Sequence, residues 1–184
     1  MKLIVGLGNP GEKYKNNRHN AGYMFIDYMV KSLNCYMAKK TKSYLTMQPS
    51  NHATILLAKS LTFMNLSGKA VKQLIRYCLP AGKAGKLDIR NLIIVHDDLD
   101  IPIGKFKIQK GIGPKLHNGI ESIENSLGTK EFWRIRVGVD NRQQTSWIDG
   151  ETYVLKDFLP QEKKIITSIF PKIVSRFKNE FWLI

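Results

Sequence analysis

"GLGNPGEKYKNNRHNAG", residues 6–22, follows the apolar run Leu3-Ile4-Val5 and opens as Gly6-x-Gly8-x-x-Gly11. A strand, a glycine turn and a helix in that order make the fingerprint of a dinucleotide-binding fold. The fingerprint sets its last glycine in a helix whose free N–H groups face a pyrophosphate. Here Pro10 and the polar run Glu12-Lys13-Tyr14-Lys15-Asn16-Asn17 intervene, and a helical pattern starts only near His19, carrying Phe25, Tyr28, Met29 and Leu33. The acid expected about 20 positions further on would be Asp27, which lies inside that helical pattern instead of ending a second strand. The loop therefore reads as a strand-to-helix connection made for another purpose, and no nucleotide cofactor is expected.

Outward from this loop, strand-type segments at 3–7, 55–58, 92–95 and 135–139 alternate with longer helical patterns. Alternation of this kind predicts an α/β fold: one domain over residues 1–184, with a mixed, mostly parallel twisted sheet and helices on both faces. The second helix reads from Asn65 or Ser67, with Leu66, Ala70, Leu74 and Cys78 on one stripe and Pro80 and Gly82 as its stop. A third covers Gly119 to Leu127 and ends at Gly128. The last runs from Gln161 to Phe177, where Pro171 is expected to kink or divide it. "LPAGKAGKLD", residues 79–88, reads as a helix-to-strand loop.

With 43% hydrophobic residues, 184 positions suffice for one core. A net charge of +14 favours a polyanionic partner, since neutralising phosphates releases condensed counterions. Selection for solubility is the competing cause of such an excess. Two strand-type segments focus the charge: Lys105 and Lys107 share a face of "GKFKIQKG", as do Arg134 and Arg136 of "WRIRVGV". They read as phosphate contacts, against the alternative of solvated edge strands. Cys35 and Cys78 are too few for a disulfide framework or a cysteine zinc site, and they read as packing residues. No signal-type apolar region or membrane-length apolar run is present, so a soluble, cytoplasmic protein without membrane contact is expected.

The four histidines, His19, His52, His96 and His117, have no metal-ligand spacing, and no G-x-S-x-G elbow occurs. No metal is expected, and the economical chemistry left is water activated by a general base, for which histidine suits neutral pH. His19 is the best candidate, because it follows the basic loop and opens a helix. In "IIVHDDLDIP", His96, Asp97, Asp98 and Asp100 gather at the carboxyl end of an apolar strand, where open α/β sheets bind ligands. One of these carboxylates could hold a histidine in the basic tautomer; a cation-binding cluster and a solvated turn are the competing readings. Asn9, Asn20, Asn65 and Asn118 sit at loop or helix-start positions. They are caps, or amides that hydrogen-bond a neutral substrate.

"GLGNPGEKYKNNRHNAG", "TFMNLSGKAV", "VHDDLDIPIGKFKI" and "HNGIESI" stand in order and register across nearly the whole chain, and in this the sequence resembles the bacterial peptidyl-tRNA hydrolases. The resemblance implies a cofactor-free enzyme, acting as a monomer on the acceptor stem and 3′ end of peptidyl-tRNA and hydrolysing the ester that joins peptide to tRNA. It further implies that His19 is the base and Asp97 its orienting carboxylate. Asn9, Asn65 and Asn118 match the family's substrate- and water-positioning amides, and Tyr14 a tyrosine near the tRNA end. Lys107 and Arg136 match a pair for the 5′-phosphate, with Lys105 beside them. The chain departs from the family pattern at Asn17, Asp140 and the pair Lys115-Leu116, where threonine, glycine and glycines are usual. A non-catalytic RNA-binding or splicing-type protein on the same scaffold is the alternative, since fold does not fix function.

Overall fold

The computed structural model describes residues 1–52, 54–78, 88–142 and 148–181. Seven strands form one sheet in the order β2-β3-β4-β1-β5-β7-β6. In chain order these are β1 (Lys2–Gly6), β2 (Cys35–Lys40), β3 (Tyr44–Pro49), β4 (Ile55–Ser60), β5 (Leu92–Pro102), β6 (Phe106–Lys110) and β7 (Trp133–Asp140). The four central strands β4, β1, β5 and β7 are parallel, while β2, β3 and β6 add antiparallel edges. The expected mixed, mostly parallel sheet is therefore present.

The helices are α1 (Ala21–Ser32), α2 (Ser67–Tyr77), α3 (Asn118–Leu127), α4 (Gly150–Val154) and α5 (Pro160–Phe181). They cover both faces. Strand residues alternate between the two layers: Ile4, Leu57, Ile93 and Val95 pack with Phe25, Ile26, Phe170 and Phe177 of α1 and α5. Leu3, Val5, Leu56 and Ile94 pack with Val71, Leu74, Ile120 and Ile123 of α2 and α3. Strands buried on both faces are what a central parallel sheet requires, and they account for the unbroken apolar runs.

Three of the elements read from the sequence differ in the structure. The strand expected to end at Val95 continues to Pro102, so His96, Asp97 and Asp98 are buried strand residues, not a solvated turn. Pro171 does not divide α5, which is one helix from Pro160 to Phe181. The proline is exposed, and the stripe Ile166, Ile169, Phe170, Ile173 and Phe177 holds both halves on the sheet. Leu66 belongs to the turn before α2 and is 39% exposed, outside the stripe assigned to it. The stop at Pro80 and Gly82, and most of the 79–88 loop, lie outside the described residues. Cys35 and Cys78 are unbonded and half-buried, as expected of packing residues.

Candidate active site

Two glycines set the site's geometry. A Cβ on Gly6 would stand 2.5 Å from the Gly22 carbonyl oxygen, and one on Gly22 would stand 2.6 Å from that of Leu7. Only hydrogen fits in these gaps, so the start of α1 is pressed directly onto the end of β1. The single 3-10 turn Arg18–Asn20 before α1 then carries His19 over β5.

His19 Nδ1 lies 2.9 and 3.0 Å from the two carboxylate oxygens of Asp97, which is 2% exposed. Asp97 is shared: its Oδ1 is also 3.0 Å from Nε2 of His117. The His117 tautomer follows from its surroundings, because its Nδ1 accepts the Gly119 and Ile120 N–H groups at the start of α3 and so carries no proton. Nε2 is then the protonated nitrogen and donates to Asp97. Both imidazoles thus point a donor at one carboxylate, which leaves His19 Nε2 as a lone pair facing outward.

Burial alone would lower the pKa of His19, but the charge of Asp97 and its hydrogen bond outweigh it, and the net shift is upward. Burial would likewise raise the Asp97 carboxyl, yet the two histidines hold it far below the usual carboxylate range. His96 behaves oppositely. Burial, helped by nearby His117, takes it well below its ordinary value, and its Nδ1 lies 2.6 Å from the Asp97 carbonyl oxygen. It therefore adds no positive charge beside the pair.

His19, Asp97 and His117 place possible ligand atoms within 4.8 Å of one another. A cation there would have to displace the hydrogen bonds that already occupy both nitrogens of His117 and both oxygens of Asp97.

Asn9 is buried; its side-chain oxygen accepts the Met64 N–H at 2.9 Å, and its backbone is clasped twice by Asn20 at 2.8 and 3.0 Å. That leaves the Asn9 NH₂ as its free donor. Asn65 follows Met64, and Asn118 follows His117; both are exposed, and among the described residues their side chains make no hydrogen bond. Tyr14 is half-buried and meets the exposed ring of Phe63 edge-on, with centroids 6.3 Å apart.

The basic residues separate into two groups. Lys105 and Lys107 are exposed at the β6 edge. Arg136 is not open in this way: β7 lies between β5 and β6, and its guanidinium is spent on Asp98 at 2.6 Å and Gln109 at 2.8 Å, with Asp100 at 3.7 Å. Arg134 is 2% exposed and pairs with Glu124 at 2.8 Å, so neither arginine presents a free cation. Instead they brace the loop before His117. Gly113 has φ +62°, and any Cβ there would strike the Arg136 guanidinium, while Arg134 donates to the Gly113 carbonyl.

The departures from the family pattern each have their own setting. Lys115 donates its backbone N–H to Asp100 at 2.8 Å, and Leu116 is 91% exposed. Behind them a cavity of about 700 Å³ opens between this loop and α3. Asn17 anchors to the Leu155 carbonyl at 2.5 Å, and Asp140 pairs with Arg142 at 2.8 Å. Sequence reasoning missed His117, whose one signal was its position immediately before a helix start, where an imidazole is an unusual cap.

An α/β sheet with helices on both faces thus carries the His19–Asp97 pair at its central strand β5. The family model for peptidyl-tRNA hydrolase matches residues 3–182. The chain is 39% identical over 175 residues to the peptidyl-tRNA hydrolase of Geotalea daltonii, covering 95% of this chain and 86% of that one. To that of Geobacter metallireducens it is 40% identical over 174 residues, covering 94% and 84%. The crystal structure of peptidyl-tRNA hydrolase from Acinetobacter baumannii superposes with a TM-score of 0.80 at 27% identity, covering 97% of this chain and 87% of that one. The chain belongs to the peptidyl-tRNA hydrolase family. Among its described residues no helix is long and apolar enough to cross a membrane.

Proposed function

We propose that the chain is a carboxylic ester hydrolase that cleaves the bond between a peptide and the 3′-terminal ribose of tRNA, working in the cytoplasm as a monomer. The observation that carries the mechanism is the His19 ring bonded through Nδ1 to Asp97, with Nε2 left free. In this reading Nε2 takes a proton from water and the resulting oxygen attacks the ester carbonyl. Amide N–H donors of Asn9, Asn65 and Asn118 face the carbonyl oxygen as it gains charge. The proton then passes to the departing ribose oxygen, giving a peptide acid and free tRNA. Nothing in the family match supports the non-catalytic RNA-binding alternative.

The test is single-turnover release of the blocked amino acid from an N-acetyl-aminoacyl-tRNA, with and without EDTA. Equal release in both arms is expected. Binding without release would defeat the ester-hydrolase reading, and release abolished by EDTA would defeat activation by histidine alone.

The pH dependence has a definite sign. His19 works as the neutral base, and Asp97 favours its charged form, so the acid limb of kcat/KM is expected above the ordinary imidazole value. Asp97→Asn removes that charge, and the limb should then move to lower pH while the plateau falls. A limb that stays in place in the variant would remove Asp97 from the mechanism.

Lys105 and Lys107 are the proposed contacts to the acceptor-stem 5′-phosphate, and Arg136 supports them from inside. Lys105→Gln with Lys107→Gln is expected to flatten the log–log salt dependence of tRNA binding by about 1.8. Titrating tRNA with and without its 5′-phosphate checks the assignment, because the double variant should no longer distinguish the two.

A further inference from the structure

From Tyr28 through Leu87 the chain contains no Asp or Glu, yet it contains ten Lys and Arg. A third of the sequence therefore supplies +10 of the +14 net charge. Its described residues form the end of α1, the sheet edge β2-β3-β4 opposite β6, and α2 on one face of the sheet. Among its described residues, Lys59 alone has an acidic partner, Asp27 at 2.6 Å. Lys39, Lys40 and Lys42 are exposed at the β2 edge, with the Lys39 ammonium 4.8 Å from the centre of the Tyr77 ring.

Lysines on an edge strand have an ordinary explanation, protection against pairing with another chain. α2 is not an edge strand. Its buried face is Ala70, Val71 and Leu74, and its solvent face carries Lys69, Lys72 and Arg76 at helical spacing without one acid to pair with them. Exposed helix faces are normally relieved by opposite charges three or four residues away, and like charges there repel. The row begins one turn after Asn65 and extends about 10 Å along the helix, leading away from the proposed ester site.

We propose that this row, with the lysines of the β2 edge, is a second tRNA contact: it holds backbone phosphates of the duplex body while the ester lies at His19. The contact reads charge and not sequence, so it strengthens binding without changing the chemical step. This rests on tRNA being the substrate, as proposed above.

The test compares Lys69→Gln/Lys72→Gln/Arg76→Gln with a charge-matched control, Lys163→Gln/Lys164→Gln/Lys172→Gln on α5. Each is titrated with uncharged tRNA over a range of salt and assayed on N-acetyl-aminoacyl-tRNA and on a short 3′-terminal oligonucleotide bearing the same ester. For the α2 variant the salt slope should flatten by about 2.7, with KM for tRNA rising about tenfold or more and kcat held. The oligonucleotide should be cleaved as by the native protein, and the control should keep the native slope.

An unaltered slope in the α2 variant, or equal losses in the control, would overturn the proposal. Equal losses on the oligonucleotide would overturn it too, since the contact would then be with the 3′ end. So would binding to phosphatidylglycerol vesicles that disappears in the α2 variant while its tRNA slope is unchanged, which would assign the face to lipid. Should the native protein release no product, the ester-hydrolase reading fails, and the tRNA titrations still decide this one.

Discussion

His19→Ala is expected to lower single-turnover ester hydrolysis by about two or more orders of magnitude while tRNA affinity and thermal stability hold. The asymmetry follows from position. His19 is tied to the protein by its Asp97 contact, while Asp97 keeps its second partner, His117, when the ring is removed. The buried carboxylate therefore keeps a hydrogen-bond donor, and because His19 works as a neutral ring no countercharge is lost with it, so the fold has little reason to give way. What disappears is the free nitrogen that accepts the proton from water. A rate within a few fold of the native protein would assign the base elsewhere. Measuring release and binding on the same preparation separates lost chemistry from lost substrate.

The neighbouring residue should behave in the opposite manner. Arg18 is 4% exposed; its guanidinium pairs with Glu162 at 2.6 Å and donates to the carbonyls of Tyr153, Lys156 and Asp157 at 3.0 to 3.4 Å. The group also lies 4.2 Å from the centre of the Tyr153 ring. Arg18→Ala leaves Glu162, itself 2% exposed, without its cation and takes a donor from the carbonyls of Tyr153, Lys156 and Asp157. Breaking a buried pair from one side costs about 3–5 kcal/mol, which for a chain of this size lowers Tm by about 6–20 °C. Pairing Arg18→Met with Glu162→Leu should recover much of the loss, because no charge is then abandoned. A thermal melt of the three proteins checks this, and a single variant as stable as the native chain would mean that solvent reaches the pair.

The central sheet was legible because its strands are buried on both faces and their apolar runs are unbroken. β2 was not, since all but its first residue are exposed and it carries no alternation to detect. The far half of β5 was hidden for the opposite reason. Buried Asp97 and Asp98 look like the polar end of a strand until His19, His117 and Arg136 are seen to satisfy them. Within the site, His19 was reachable from its loop and from elimination of other chemistries. The choice of Asp97 among the clustered acids came only with the family resemblance, since its contact spans 78 positions of sequence. Arg136 shows the limit of periodicity. Spacing placed it beside Arg134 on one face, but only the strand order β5-β7-β6 shows that this face looks onto Asp98 and not onto solvent.

The contact between β1 and α1 has a genetic consequence. Gly6 and Gly22 touch no substrate in the proposed mechanism, yet any larger side chain at either position must lift α1 from the strand and draw His19 away from Asp97. A random-mutagenesis screen for inactive alleles should therefore return these two codons alongside those for the reacting groups. Screens for folded protein alone would undercount them, because the chain can absorb a small displacement that proton transfer cannot.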